Sequence, residues 1–130
     1  MMETAALLAT ALLFGGMTLF SFGFAPFVFS ALPPETAGPT IRRAFPRFHL
    51  FVALSATLAA ALSAPFDALS AGLLAGVALT TLPNRQLLTP AINAATDAGD
   101  QRRFHLLHGL SVAITLAHIV AAGAALARFL

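Results

Sequence analysis

The chain of 130 residues contains no cysteine, tryptophan, tyrosine or lysine, and only 9% of its residues are charged. Each scarcity closes a class. Without cysteine there is no disulfide framework and no thiolate metal site. A soluble domain carries roughly 25% charged residues, so a soluble fold would leave too little polar surface to cover a core this apolar. The basic residues are seven arginines against five acids, for a formal charge of +2. That set is too sparse to be a nucleic-acid footprint. No H-E-x-x-H, C-x-x-C or Walker pattern occurs, and no Ser-His-Asp arrangement suggests a soluble catalytic pocket, so an enzyme is the weaker expectation. What remains is 58% hydrophobic, with twelve Phe, nine Gly and eight Pro. This is the composition of an integral membrane protein.

A helix crosses the hydrocarbon in roughly 20 residues at about 1.5 Å each. Four such segments are expected, at about 4–32, 48–65, 66–88 and 104–126, forming a single all-α membrane domain. Strands do not fit, because lipid-exposed sheet edges are excluded and four runs cannot close a barrel. The first segment has no basic residue before it and exceeds the apolar core of a signal peptide, so it reads as a retained helix. Pro26 should kink it or end its regular part early.

The arginines orient the chain. Arg42, Arg43 and Arg47 lie between spans 1 and 2, and Arg85, Arg102 and Arg103 lie around the connection between spans 3 and 4. The positive-inside rule places both connections in the cytoplasm of a bacterial inner (plasma) membrane and both termini outside. Arg128 alone dissents.

Two small-residue faces suggest packing. Span 3 carries Gly72, Gly76 and Thr80, and span 2 carries Ala53, Thr57, Ala60 and Ala64. Small residues let membrane helices approach closely. The turn between the two spans is very short, so these faces are expected to meet. Asp67, in that turn, is placed to cap span 3. In the other connection, residues 87–98 have helical periodicity and read as a short interfacial helix or an extension of span 3. Gly99 is placed to end it and Asp100 to cap span 4.

The expected topology collects polar residues at the arginine-bearing end: His49, Asn84, Arg85, Thr89, Asn93, Thr96, Asp97, His105 and His108. On span 4, His108, Ser111, Thr115 and His118 fall within about 80° of one another at 100° per residue. Thr10, Met17 and Ser21 form a weaker stripe on span 1. An unsatisfied polar group is costly in lipid, so the span 4 stripe should face the bundle. It could join helices by hydrogen bonds, line a path for a small solute or proton, or supply a haem or metal ligand. For the last, His49 with His105 or His108, completed by Asp97 or Asp100, is the only set at one depth.

The segments G-M-T-L-F-S-F-G-F-A-P (Gly16 to Pro26), A-G-P-T-I-R-R-A-F-P (Ala37 to Pro46), N-R-Q-L-L-T-P-A-I-N (Asn84 to Asn93) and F-H-L-L-H-G-L-S-V (Phe104 to Val112) resemble the transmembrane protein 205-like family of small four-helix membrane proteins. The resemblance implies matching positions at Arg43, Phe45, Pro46, Pro90, Asn93, Phe104, His108, Gly109 and Ser111. In the eukaryotic relative it implies a link to platinum-drug resistance through sulfur-bearing residues. This chain has no Cys and only Met1, Met2 and Met17, so that property does not transfer. Position 115 is Thr where the family pattern suggests a nearby Asn.

The leading expectation is a four-helix membrane protein that binds or moves a small solute through a polar core. The candidate site is His108, Ser111, His105, His49, Arg43, Arg47, Arg85, Asn93 and Asp97, with His118, Thr115 and Asp67 in structural roles. The alternative is an accessory subunit of a larger membrane complex or a homo-oligomer. A haem- or metal-binding subunit is third.

Overall fold

A computed structural model describes residues 1–130 and is entirely helical. Helix α1 (Met2–Thr18) passes through a π-helical turn (Leu19–Phe24) into α2 (Ala25–Ala31). Helix α3 (Pro34–Ser63) follows, then α4 (Ala68–Pro83), which continues through a second π-helical turn (Asn84–Leu88) into α5 (Thr89–Asp97). Helix α6 (Gln101–Ala127) closes the chain. The continuous helices Met2–Ala31, Pro34–Ser63 and Gln101–Ala127 are each long and apolar enough to cross a membrane. The shorter α4 completes a four-helix bundle in which α1 packs on α3, α3 on α4, α4 on α6 and α6 on α1.

Both π turns have the same local cause. Each ends two residues before a proline, Pro26 or Pro90. A proline ring clashes with the carbonyl four residues back and brings no N–H. A wider turn makes room and moves the bonding one residue further. The amide of Ala25 donates to the carbonyl of Phe20, and that of Thr89 to Asn84. The helix survives Pro26, where the sequence predicts a kink or an early end of the regular part, by widening ahead of it. Helix α3 begins at Pro34, well before the expected start of span 2 near residue 48. Pro34 is tolerated in a first turn, and Pro39 and Pro46 are carried within the helix.

Helix ends follow local chemistry. The Asp67 carboxylate accepts from the Ser70 amide at 3.2 Å, and that of Asp100 accepts from the Arg103 amide at 3.1 Å. Gly99 has φ +67°, the left-handed conformation that glycine adopts without a Cβ penalty. There the Asp100 amide returns to the carbonyl of Ala95 and the Gly99 amide to that of Thr96, which satisfies the last carbonyls of α5.

Many large apolar side chains point outward, and polar ones share the interior with the core. Leu8, Leu12, Leu54, Leu58, Leu79, Leu110 and Val120 are exposed on the bundle surface, whereas nine of the 25 buried residues are polar. So much exposed apolar surface is unlike a soluble protein and suits a lipid surround. Buried hydroxyls of Thr10, Ser55 and Thr81 donate to carbonyls of their own helices, so they carry no unmet bond into the core.

The packing between α3 and α4 corrects one expectation. Gly72 and Gly76 face outward, and a Cβ built on either would meet nothing within 4 Å, whereas Thr80 turns its hydroxyl to His118 of α6. The face of α4 that is buried is Ser70, Leu74, Val77 and Thr81. Leu74 and Val77 share the core cluster with Val52, Ala56 and Ala59 of α3. The contact is therefore large against small, not small against small: the alanines of α3 make the room that Leu74 fills. Glycine permits close approach elsewhere. A Cβ at Gly16 of α1 would collide with the ring of Phe51 on α3, and one at Gly123 of α6 would stand 3.1 Å from the ring of Phe14 on α1. Gly109 lies in open space on the outer surface.

Candidate functional site

In one half of the molecule α2 packs on α3 while α5 packs on α6, and these two pairs face each other across a cleft. Its volume is about 790 Å³, within the roughly 300–1,000 Å³ of typical ligand sites. The first π turn and α2 give one wall through Phe20, Phe22 and Phe29, and α3 adds Ile41, Phe45 and Phe48. Opposite stand Ile92 of α5 and Phe104, Val112 and Leu116 of α6. Phe20 lies flat on Phe48 with centroids 4.0 Å apart, while Phe45 meets Phe20 edge-on at 5.4 Å. These aromatic contacts hold the inner wall in one shape.

Polar groups interrupt the apolar walls in two places. Ser21, His108, Ser111 and Thr115 line the interior. The His108 ring is stacked on Phe104 at 5.2 Å and 9°. Glu35, Arg42, Asn93, Thr96 and Asp97 form the second group, contributed by the N-terminal part of α3 and by α5. There Arg42 spans the gap between the two helix pairs. Its Nη2 donates to Asp97 Oδ1 at 2.8 Å and its Nη1 to Asp97 Oδ2 at 3.3 Å, and Nη2 also reaches the carbonyl of Asn93 at 3.4 Å. A two-pronged guanidinium–carboxylate contact fixes direction as well as distance.

The span 4 stripe divides. His108, Ser111 and Thr115 face the cleft, whereas His118 turns into the bundle and its Nε2 pairs with the Thr80 hydroxyl on α4 at 2.7 Å. Asn93 and Asp97 also reach the cleft. His105 is exposed and its Nδ1 donates to the Gln101 carbonyl of its own helix at 2.7 Å. Arg43 is exposed outside the cleft, and Arg47 donates to the carbonyl of Arg43 at 3.0 Å. Arg85 donates from Nε to the Pro46 carbonyl at 3.3 Å, joining the second π turn to α3. His49 is buried behind Phe45 and Phe48, with each ring centroid 5.7 Å from the imidazole. The histidines do not converge: no group of three or more His, Asp or Glu side chains is placed to hold an ion.

Sequence reasoning used Arg42 for orientation but not for a site, and it missed the aromatic wall. The dense phenylalanines at 20, 22, 24, 27 and 29 were the available signal for the wall. Arg42 and Asp97 are 55 residues apart, and no local pattern pairs them.

At the opposite end, Asp67 holds Arg128, with Nε to Oδ2 at 2.7 Å and Nη2 to Oδ1 at 3.0 Å. The hydrogen bonds from Arg128 and then Ser70 hold the Asp67 carboxyl well below the usual carboxylate range. The same contact raises Arg128 above its ordinary value. Arg128, the one arginine at this end, thus has its charge matched locally.

The family model described as a domain of unknown function, DUF4149, matches residues 8–101. The chain belongs to this family. The match supports the coarser part of the resemblance drawn above, a small all-α membrane domain, and not the transmembrane protein 205-like family specifically. It also stops short of Phe104 to Val112, the block on which that narrower resemblance leaned most. No curated protein and no solved structure matches the chain.

Proposed function

We propose that this DUF4149 protein is a membrane-embedded binding protein whose cleft takes a small amphipathic solute. The observation that carries the reading is a cleft of about 790 Å³ built within membrane-length helices, aromatic along its walls and polar at His108, Ser111 and the Arg42–Asp97 contact. A mostly apolar body would lie against Phe20, Phe45 and Phe48. Its polar end would exchange hydrogen bonds with His108 and Ser111, or compete with Asp97 for Arg42. Apolar walls with a few convergent polar groups are the usual build of a small-molecule site. The arginine-bearing end would face the cytoplasm of a bacterial inner membrane, so the polar groups of the cleft would stand on that side.

The test is to purify the protein in lipid nanodiscs, extract what accompanies it, and identify the small molecules by mass spectrometry. The double variant His108→Ala, Ser111→Ala should lose the enriched component while its melting temperature stays near the parent value. Equal recovery from parent and variant removes the basis for the reading. Orientation is tested separately with single cysteines at Thr40 and Thr96 and one beside Asp67. An impermeant thiol reagent on intact cells should label only the last.

One observation favours a second reading, an accessory or self-associating subunit. Gly72 and Gly76 present a flat outward face on α4 with nothing against it. Cross-linking through a cysteine at Gly76 in native membranes tests it. A specific cross-linked species supports association, and none leaves the cleft reading alone.

A further inference from the structure

The centre of the bundle holds polar side chains that the cleft does not use. His49 on α3 is 2% exposed, and neither Nδ1 nor Nε2 meets a protein partner. Asn84, the first residue of the second π turn, is 3% exposed, and its Oδ1 is also unpartnered. Two contacts bring their segments together. Arg85, next to Asn84, donates to the carbonyl of Pro46, one turn before His49 on α3. His118 of α6 pairs with Thr80, one turn before Asn84 on α4. Three helices thus direct His49, Asn84 and His118 toward one level of the bundle, and Phe45 and Phe48 wall His49 off from the cleft.

The chemistry of the unmet groups defines what fits. A neutral imidazole presents one donor and one acceptor, and an amide oxygen accepts. The complement must donate and accept within a small space. A cation is disfavoured, because the Arg85 guanidinium is anchored one turn away at the Pro46 carbonyl, and no group of three or more His, Asp or Glu side chains is placed to hold an ion. An apolar occupant would leave all three atoms without bonds, which buried groups avoid. Water meets every requirement, and buried water characteristically bridges two to four polar groups of this kind.

We propose that His49, Asn84 and His118 enclose a small cluster of exchangeable water in the middle of the bundle, separate from the solute cleft. The π turn places Asn84 at its edge, in keeping with the frequent use of such turns at functional positions. The site makes His49 a proton-exchanging group at mid-bundle and does not depend on the cleft reading.

The experiment uses the full chain in lipid nanodiscs with ¹⁵N-labelled histidine. Magnetisation is transferred from water to the imidazole N–H groups, and the His49 signal is assigned by its disappearance in His49→Phe. A water-to-ring cross-peak at His49 is expected, with loss or several-fold weakening in Asn84→Leu. No transfer to His49 in the parent protein, or a ring nitrogen bonded to a protein acceptor instead, overturns the proposal. If Asn84→Leu does not fold, the parent spectrum alone decides, since the transfer is either present or absent.

Discussion

The two ends of the bundle differ in how the chain handles proline and space. At the end that holds the termini, α1, α3, α4 and α6 pack directly on one another through Ala9, Leu13, Ala59, Ala122 and Ala125, and Asp67 ties down Arg128. At the arginine-bearing end, Pro26 and Pro90 force two π turns, and α2 with α3 stands apart from α5 with α6. The same apolar composition therefore gives a closed core where the helices run regularly and a cleft where they are interrupted. Small side chains at contacts allow closure, and proline two residues beyond a widened turn prevents it.

The largest effect expected belongs to the closed end. Leu74→Ala should cost about 2–5 kcal/mol, because Leu74 is fully buried between helices and its loss opens a cavity. Gly76→Leu, two residues on and on the outward face, should change stability by about 0.5 kcal/mol or less. Reversible unfolding in mixed micelles measures both. Similar losses for the two would mean that α4 packs with its other face.

The next effect sits at the boundary between the ends. His118→Ala removes the bond to Thr80 and should cost about 0.6–2 kcal/mol by the same measurement. Thr80→Val should cost a similar amount, and the double variant should cost little more than either alone. Full additivity would show that the two side chains act independently.

At the open end, Arg42→Ala should lower stability by only about 0.2–1 kcal/mol, since Arg42 and Asp97 are both partly exposed. Its more telling consequence is geometric. Spin labels on α3 and α5 should report a wider distance distribution in the variant than in the parent. An unchanged distribution would mean that helix packing, not this contact, sets the width of the cleft.

The smallest effect is pH dependence at the closed end. Asp67 titrates lower in the folded protein than in an unfolded chain, through Arg128 and Ser70. Its contribution is therefore complete above the ordinary carboxylate range and declines as pH falls below about 4. Asp67→Asn should remove that part of the acid dependence and leave neutral-pH melting only slightly lower. Acid melting curves of parent and variant that stay parallel would assign the effect to another group.

Local features were open to reading in one dimension. Asp67, Gly99 and Asp100 act within a turn of themselves, so a few neighbouring residues suffice to place a cap or a stop. His108, Ser111 and Thr115 share a helix wall by periodicity alone, and that wall does face the cleft. Reading failed where a partner far along the chain decides. The small face of α4 looked like a contact surface, but Leu74 fills the room beside the alanines of α3 instead, and Gly76 was left outside.

The sequence by itself determined the membrane class, the all-helical build, the caps at Asp67 and Asp100 with the stop at Gly99, and the gathering of six arginines at one end. Hydropathy, capping and proline chemistry act over a few residues and need no knowledge of neighbours. Only the tertiary structure decided which helix faces meet, that the polar stripe divides between cleft and core at Thr115 and His118, and that Arg42 reaches Asp97. Those outcomes depend on how side chains from distant segments fill a shared volume. In lipid, where apolar burial between helices gains little, shape and unmet hydrogen bonds make that choice.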